Sequence, residues 1–137
     1  MDAVPVVPTH QPSLFQRAFS RRTLIAVLQV VLAIVFLAHG IMFLNPPAEV
    51  AQLMNAMLPR WFQVFLGVAE VLAAAGLTLP AVTGIMPQLV FWAAAGTMVV
   101  LGSACVLHTV RGEWSSAITT AVLFAMAAVV ARARRHA

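Results

Sequence analysis

The sequence predicts an all-α polytopic membrane protein, a four-transmembrane-helix bundle with a short amphipathic helix in the first outward loop. Hydrophobic residues make up 62% of the 137 residues, charged residues make up only 9%, and the mean hydropathy is +0.96. Soluble domains are roughly 45–50% apolar and about 25% charged, so this composition excludes a water-soluble globule. Four long apolar runs follow one another, and most of the charges lie at the chain ends or between the runs. In hydrocarbon, backbone groups in runs of this kind must be paired within a helix.

The apolar runs divide the chain into three regions. Residues 1–20 form a proline-containing tail that we expect to be disordered or interfacial. Residues 21–131 form the membrane domain, and residues 132–137 form a basic cytoplasmic tail. The predicted spans are 24–44, 61–79, 85–109 and 116–131. The first three can cross a core of roughly 30 Å. The fourth is shorter, so it must stand nearly upright, borrow length from Trp114 and Arg132, or meet a locally thinner bilayer.

The arginines predict the orientation. They precede the first span or follow the fourth at Arg17, Arg21, Arg22, Arg132, Arg134 and Arg135. The gaps between the spans hold only Arg60 and Arg111. The positive-inside rule therefore predicts a multi-pass protein of the cytoplasmic (inner) membrane with both termini in the cytoplasm. A twin-arginine export signal at residues 20–24 is disfavoured, because the apolar run that follows is long enough to stay in the membrane.

The first outward loop, residues 45–60, has a helical pattern. Asn45 can cap a helix, and Pro59 can end it. The apolar positions follow the spacing of one helix face: Val50, Leu53, Met54, Met57 and Leu58. We predict a short amphipathic helix on the outer surface, with Trp61 at the membrane interface. This helix either shields the top of the bundle or forms a lid over an outward-facing pocket.

The remaining turns are short. Residues 80–84, between the second and third spans, are uncharged and begin with a proline. With Pro87 near the start of the third helix, they predict a tight antiparallel hairpin. On the fourth span, Ala117, Ala121 and Ala125 form a small-residue face that packs within the bundle or between subunits of a homo-oligomer.

Glu70 is the one acid within a predicted span, nine residues after the start of the second. A charge at the bilayer centre costs about 2.5–3.5 kcal/mol on insertion scales. The carboxyl group must therefore be protonated or paired with a donor on another helix. The alternative to a functional role is a single interhelical hydrogen bond that fixes the packing.

Two histidines are candidate partners at a similar depth. His39 lies near the outer end of the first span and His108 near that of the third, so we predict an outward-opening intramembrane cluster or ligand-binding site of His39, Glu70 and His108. The supporting residues, on the same helix faces, are Gln63, Thr97 and Cys105, and the outer-loop residues are Arg60, Trp61 and Arg111. A merely interfacial position is the alternative for His108.

Other kinds of site are not indicated. The histidines, the carboxylate and Cys105 are adequate metal ligands, but only Cys105 and His108 share a short spacing, so we predict no metal site. Cys105 is the only cysteine, which excludes an intrachain disulfide. No basic stripe suggests binding to nucleic acid. No catalytic residue can be assigned.

Several short motifs occur in an order and spacing typical of a known family. They are FLAHG at 36–40, LGVAEVL at 66–72, GLTLP at 76–80, and His108 followed by Arg-Gly at 111–112. From about residue 24 to residue 130 the chain resembles the DoxX-like family of small four-helix membrane proteins. The resemblance implies association with quinone-linked or thiol-linked redox systems, because the family is named for a membrane subunit of a thiosulfate:quinone oxidoreductase.

Three functions are compatible with these observations. In the first, the protein is an accessory subunit, rather than an independent enzyme, that helps a membrane or redox protein partner to meet a quinone at a His/Glu pocket. In the second, it is a non-catalytic assembly or interaction protein whose polar cluster is structural. A small proton-linked transporter is least favoured, because four short helices leave little room for alternating access.

Overall fold

The computed structural model describes residues 20–135, and the predicted N-terminal tail lies outside this range apart from Ser20. All regular secondary structure in the described chain is helical, which confirms the all-α class. The helices are α1 (Arg21–Leu44), α2 (Ala48–Met57), α3 (Arg60–Thr83), α4 (Gln88–Val110) and α5 (Trp114–Arg134). The four longer helices are long and apolar enough to cross a membrane.

α1 begins at the arginine pair because Ser20 caps it. The Ser20 hydroxyl accepts a hydrogen bond from the backbone N–H of Thr23 at 3.2 Å, as an N-cap does. At the other end the backbone N–H of Asn45 donates to the Ile41 carbonyl at 2.8 Å. Asn45 therefore ends α1. The sequence had suggested that Asn45 caps the loop helix, and it does not. Pro47 precedes that helix instead.

α2 is the predicted short helix in the first loop. It ends at Met57, two residues before Pro59. Only Met54 is buried, whereas Leu53 and Met57 are 61% and 42% exposed. The five apolar positions of the sequence pattern therefore do not all pack on the bundle. A short helix that lies across the end of a bundle contacts it along only one narrow side.

α3 does not end at its proline. The predicted span ended at residue 79, but the helix continues to Thr83. Gly84 then adopts a left-handed conformation with φ 70°, and its N–H donates to the Pro80 carbonyl at 3.0 Å. The turn is consequently shorter than predicted, and α4 begins at Gln88 rather than at residue 85.

A buried glutamine supports α3 beside this proline. The side-chain amide N–H of Gln29, on α1, donates to the carbonyl of Leu77, three residues before Pro80. Proline has no backbone N–H, so Pro80 cannot donate to the carbonyl of Gly76, one residue before Leu77. Gln29 therefore ties α1 to α3 beside Pro80, and it does so at a different carbonyl from the one that loses its donor.

The fourth membrane helix is longer than the span predicted from the sequence. α5 includes both Trp114 and Arg132, so its 21 residues exceed the predicted span of 116–131. Arg132 and Arg134 of the predicted basic tail consequently lie in the last helical turn, and residues 136–137 lie outside the described range. Gly112, at φ 73°, makes the tight α4–α5 turn.

The four long helices form an up-and-down bundle in the order α1, α3, α4, α5, with α5 closing back on α1. The core consists of Leu32, Ala33, Phe36, Ala74, Leu77, Val90, Ala94, Leu101, Ala127, Val130 and Ala131. We call the end that carries α2 and the α4–α5 turn the loop end. The opposite end, with Ser20, the α3–α4 turn and Arg135, is the terminal end.

The outer surface of the bundle is apolar. Large hydrophobic side chains such as Ile34, Trp92 and Val99 are 62%, 66% and 71% exposed. Soluble monomers rarely expose extensive apolar surface, so this surface belongs in a lipid bilayer. Ala121 and Ala125 also face outward, and only Ala117 of the predicted alanine face is buried.

Candidate functional site

Two glycines let α1 and α3 approach closely near the loop end. A Cβ atom at Gly40 would lie 2.9 Å from the backbone oxygen of Gly67, and a Cβ at Gly67 would lie 2.9 Å from that of Gly40. Real Cβ atoms essentially never approach a backbone atom so closely, so neither position accepts a side chain without a shift of the backbone. Small residues at such a crossing are typical of helix packing in membranes.

This close approach brings His39 to Glu70. The Nδ1 atom of His39 lies 2.8 Å from one carboxylate oxygen of Glu70 and 3.0 Å from the other. Glu70 is only 4% exposed, whereas the imidazole is 49% exposed. The ring of Phe43 meets the imidazole edge-on at 4.8 Å between centroids. The buried carboxylate therefore has its hydrogen-bond donor on the neighbouring helix.

His108 has a different partner. Its Nδ1 atom lies 2.5 Å from a carboxylate oxygen of Glu113, across the α4–α5 turn. The backbone N–H of Glu113 also donates to the carbonyl of His108 at 2.9 Å, in the hydrogen bonding that follows Gly112. The structure therefore pairs His39 with Glu70 and His108 with Glu113, and it shows no hydrogen bond from His108 to Glu70.

All three predicted site residues nevertheless line one cavity. It has a volume of about 340 Å³ and lies among α1, α3, α4 and α5 towards the loop end. We call it the inner cavity. Its polar lining consists of His39, Glu70, His108, Ser115, Ser116, Thr119 and Thr120, and aliphatic and aromatic side chains form the rest. This volume is at the lower end of ligand pockets, roughly 300–1,000 Å³.

A second cavity adjoins the first. It is a groove of about 550 Å³ between α3 and α4, and its lining is almost entirely apolar. We call it the lateral groove. Phe36, Glu70 and Val100 line both this groove and the inner cavity, so Glu70 lies in the wall that they share. Thr97 contributes the other polar side chain of the groove.

A polar network holds the loop end together. The guanidinium of Arg60 donates to the last carbonyls of α1, at 2.9 Å to Phe43 and 2.6 Å to Leu44. Gln63, which is fully buried, donates to the side-chain oxygen of Asn55 on α2 at 3.0 Å. A cation at a helix C-terminus is also favoured by the helix dipole. Arg60 and Gln63 therefore tie α1 and α2 to the start of α3.

The other predicted supporting residues do not join the histidine and glutamate pairs. The Thr97 hydroxyl donates to the Ala93 carbonyl of its own helix at 2.9 Å. Cys105 has a long contact of 3.7 Å to a backbone oxygen of α5. Trp61 is 70% exposed at the start of α3, and Arg111 is exposed in the α4–α5 turn. Within residues 20–135, no three histidine, cysteine or acidic side chains are grouped as metal ligands.

Two features of the site were not predicted from the sequence. Gln29 was not recognised, although a lone amide in an apolar run signals an interhelical contact in the same way as a lone acid. The hydroxyls at the start of α5, such as Ser116 and Thr120, were also missed, although Thr120 is buried and lies one turn beyond Ser116. Their spacing of four residues is the signal that could have identified them.

Comparison with known proteins identifies one family. The model of the family described as the DoxX-like family matches residues 27–130. This range covers all of α3 and α4, and all but the first six residues of α1 and the last four residues of α5. No curated protein and no solved structure matches the chain.

Proposed function

The chain belongs to the DoxX-like family, and from this premise we propose that it is an accessory subunit of a quinone-linked or thiol-linked membrane redox system. In this proposal the inner cavity receives the head of an amphipathic quinone, and the His39–Glu70 pair exchanges protons with it. The redox protein partner supplies or accepts the electrons.

The observation that carries the proposal is the position of Glu70. This carboxylate is bonded to a half-exposed imidazole and lies in the wall between a polar-lined cavity and an apolar groove. A quinone has the matching division between a polar ring head and an apolar tail. Ligand sites of this kind combine an apolar lining with a few placed polar groups.

The chemistry requires a group that takes and releases protons. Interconversion of a quinone and its hydroquinone moves two electrons and two protons. A histidine changes its protonation state near neutral pH, and the Nδ1 bond to Glu70 leaves the Nε2 atom of His39 available for exchange.

The proposal includes a location in the cytoplasmic membrane with both termini inside the cell. Among residues 20–135, the terminal end has five arginines and the loop end has two, Arg60 and Arg111. This excess of arginine at the terminal end supports a cytoplasmic position for it by the positive-inside rule. A fluorescent reporter that matures only in the cytoplasm, fused after residue 137, should be bright in cells. A dark but intact fusion would contradict this orientation.

Quinone binding can be tested by filling the inner cavity. Ala104 lines it, whereas the adjacent Ser103 is exposed and lines a different, outward groove. We expect Ala104→Phe to weaken quinone binding at least about tenfold, equivalent to about 1.4 kcal/mol. Ser103→Phe should leave binding unchanged. The readout is the ultraviolet absorbance of quinone that co-purifies with the protein, followed by titration with a soluble quinone analogue.

Two outcomes would reject the quinone proposal. The first is that the wild-type protein neither co-purifies with a quinone nor binds the analogue. The second is that Ala104→Phe and Ser103→Phe, both eluting as folded protein on size exclusion, bind the analogue equally well.

A non-catalytic assembly or interaction role is the second candidate. It is favoured by the internal pairing of the polar side chains, since His39 bonds to Glu70 and His108 bonds to Glu113. If the pair is only structural, Glu70→Gln should preserve partner function, because an amide oxygen can still accept from His39. Glu70→Ala should then lose folding and function together.

A further inference from the structure

The terminal end of the bundle concentrates positive charge. Five arginines lie there in the described chain: Arg21, Arg22, Arg132, Arg134 and Arg135. The acids of residues 20–135 lie elsewhere, with Glu49 on α2, Glu70 within α3 and Glu113 in the α4–α5 turn. This end therefore has an excess of cations for which the described chain supplies no carboxylate nearby.

Two of these arginines line a cavity between α1 and α5. The cavity has a volume of about 570 Å³, and its lining is Arg22, Ile25, Ala26, Ala133 and Arg134. It lies between the first turns of α1 and the last turn of α5, at the end of two candidate membrane spans. We call it the arginine cavity. Its walls combine guanidinium groups with short apolar side chains.

The guanidinium of Arg134 has a donor that no described residue satisfies. Among residues 20–135 its buried Nε atom has no hydrogen-bond partner, and the residue as a whole is half-buried, unlike the exposed Arg22. A buried donor without a partner costs about 1–3 kcal/mol, so such atoms are normally satisfied. The described residues therefore supply no acceptor to this Nε–H, and an anion in the arginine cavity would bring acceptor oxygens to the Arg134 guanidinium.

The chemistry of the cavity identifies that acceptor. The planar fork of an arginine matches the oxygens of a phosphate group in a bidentate contact. The apolar wall and the position at the end of the membrane spans favour a lipid over a soluble anion. We propose that the arginine cavity binds the phosphate of an anionic phospholipid headgroup. This proposal is independent of the quinone proposal, because it uses neither the inner cavity nor Glu70.

The test compares two double variants with the same net charge. Arg22→Gln/Arg134→Gln removes the arginines of the cavity, and Arg21→Gln/Arg132→Gln removes two exposed arginines of the same helix ends. Native mass spectrometry of the detergent-solubilised protein measures the dissociation constant for phosphatidylglycerol. Phosphatidylcholine provides the zwitterionic comparison, and inorganic phosphate and glycerol 1-phosphate provide the soluble ones.

We expect one tightly bound phosphatidylglycerol per chain, with at least about tenfold weaker binding in the cavity variant than in the control variant. General attraction to an anionic surface depends on charge near the surface and would weaken both variants alike. Equal binding by the two variants, or equal affinity for phosphatidylcholine, would overturn the proposal. Competition by inorganic phosphate at the affinity of the lipid would assign the cavity to a free anion and also overturn it.

A conservative variant keeps the test decisive if the double variant does not fold. Arg134→Lys retains the charge and loses the planar fork and its Nε donor. It should bind phosphatidylglycerol several-fold more weakly than the wild type, whereas Arg132→Lys should not. Unchanged binding by a folded Arg134→Lys protein would show that the guanidinium geometry is not used.

Discussion

The contact between Gly40 and Gly67 makes the substitution Gly40→Ala an informative perturbation. The new Cβ would lie 2.9 Å from the Gly67 oxygen and 3.0 Å from a methyl carbon of Val71, whereas ordinary contacts begin at 3.4 Å. To restore normal contact α1 and α3 must separate by about 0.5 Å. The same shift would lengthen the His39–Glu70 bond from 2.8 Å to about 3.3 Å, beyond the usual range for hydrogen bonds.

The expected cost of Gly40→Ala follows from two opposing terms. Overpacking costs about 1–3 kcal/mol, and the better helix propensity of alanine returns up to about 1 kcal/mol. We expect the free energy of unfolding to fall by about 0–3 kcal/mol, and to lie about 1–3 kcal/mol below that of an alanine variant that meets no neighbour. Gly96→Ala is the matched control, because nothing lies within 4 Å of its Cβ, and it should leave stability unchanged or raise it by up to about 1 kcal/mol.

Reversible unfolding in mixed detergent micelles, followed by circular dichroism, measures both variants. A Gly40→Ala protein as stable as Gly96→Ala would refute the close approach of α1 and α3. It would also remove the reason why His39 and Glu70 meet.

Three further substitutions test neighbouring parts of the structure by the same unfolding measurement. Arg60→Gln should lower the free energy of unfolding by about 1–2 kcal/mol, because it removes two donors to the end of α1. The exposed control Arg111→Gln should change it by less than about 0.5 kcal/mol. Equal effects of the two substitutions would contradict the capping role of Arg60. Gly112→Ala should cost about 1–2 kcal/mol because its φ of 73° is left-handed, and a neutral effect would contradict the turn. Glu70→Ala should lower the free energy of unfolding by about 1–3 kcal/mol, because it leaves His39 without its acceptor. Glu70→Gln should lower it by less than half as much. A larger loss for Glu70→Gln than for Glu70→Ala would contradict the hydrogen bond.

Hydrophobic patterning predicted the number, order and type of helices because each span must satisfy its own backbone in lipid. The helix ends were less predictable. Pro80 signals a helix end in isolation, yet α3 continues to Thr83 and ends only at the left-handed Gly84. Asn45 likewise suits the start of one helix as well as the end of another, and tertiary context selects the second.

The candidate site was predictable in part because burying an acid requires a donor. Glu70 and His39 lie at matching depths on adjacent helices, and depth can be read from the sequence. The pairing of His108 with Glu113 could not be foreseen, because it depends on the tight turn at Gly112. The lateral groove also could not be predicted, because it arises from the spacing between α3 and α4 and not from a sequence motif.

The most direct test of the proposed function is the infrared difference spectrum recorded when quinone bound to the protein in bilayers is reduced electrochemically. Proton exchange at the His39–Glu70 pair predicts a carboxyl band that is absent from Glu70→Gln, altered by His39→Gln and retained in the control Glu49→Gln. A spectrum that is the same in Glu70→Gln as in the wild type, with quinone bound to both, would contradict it.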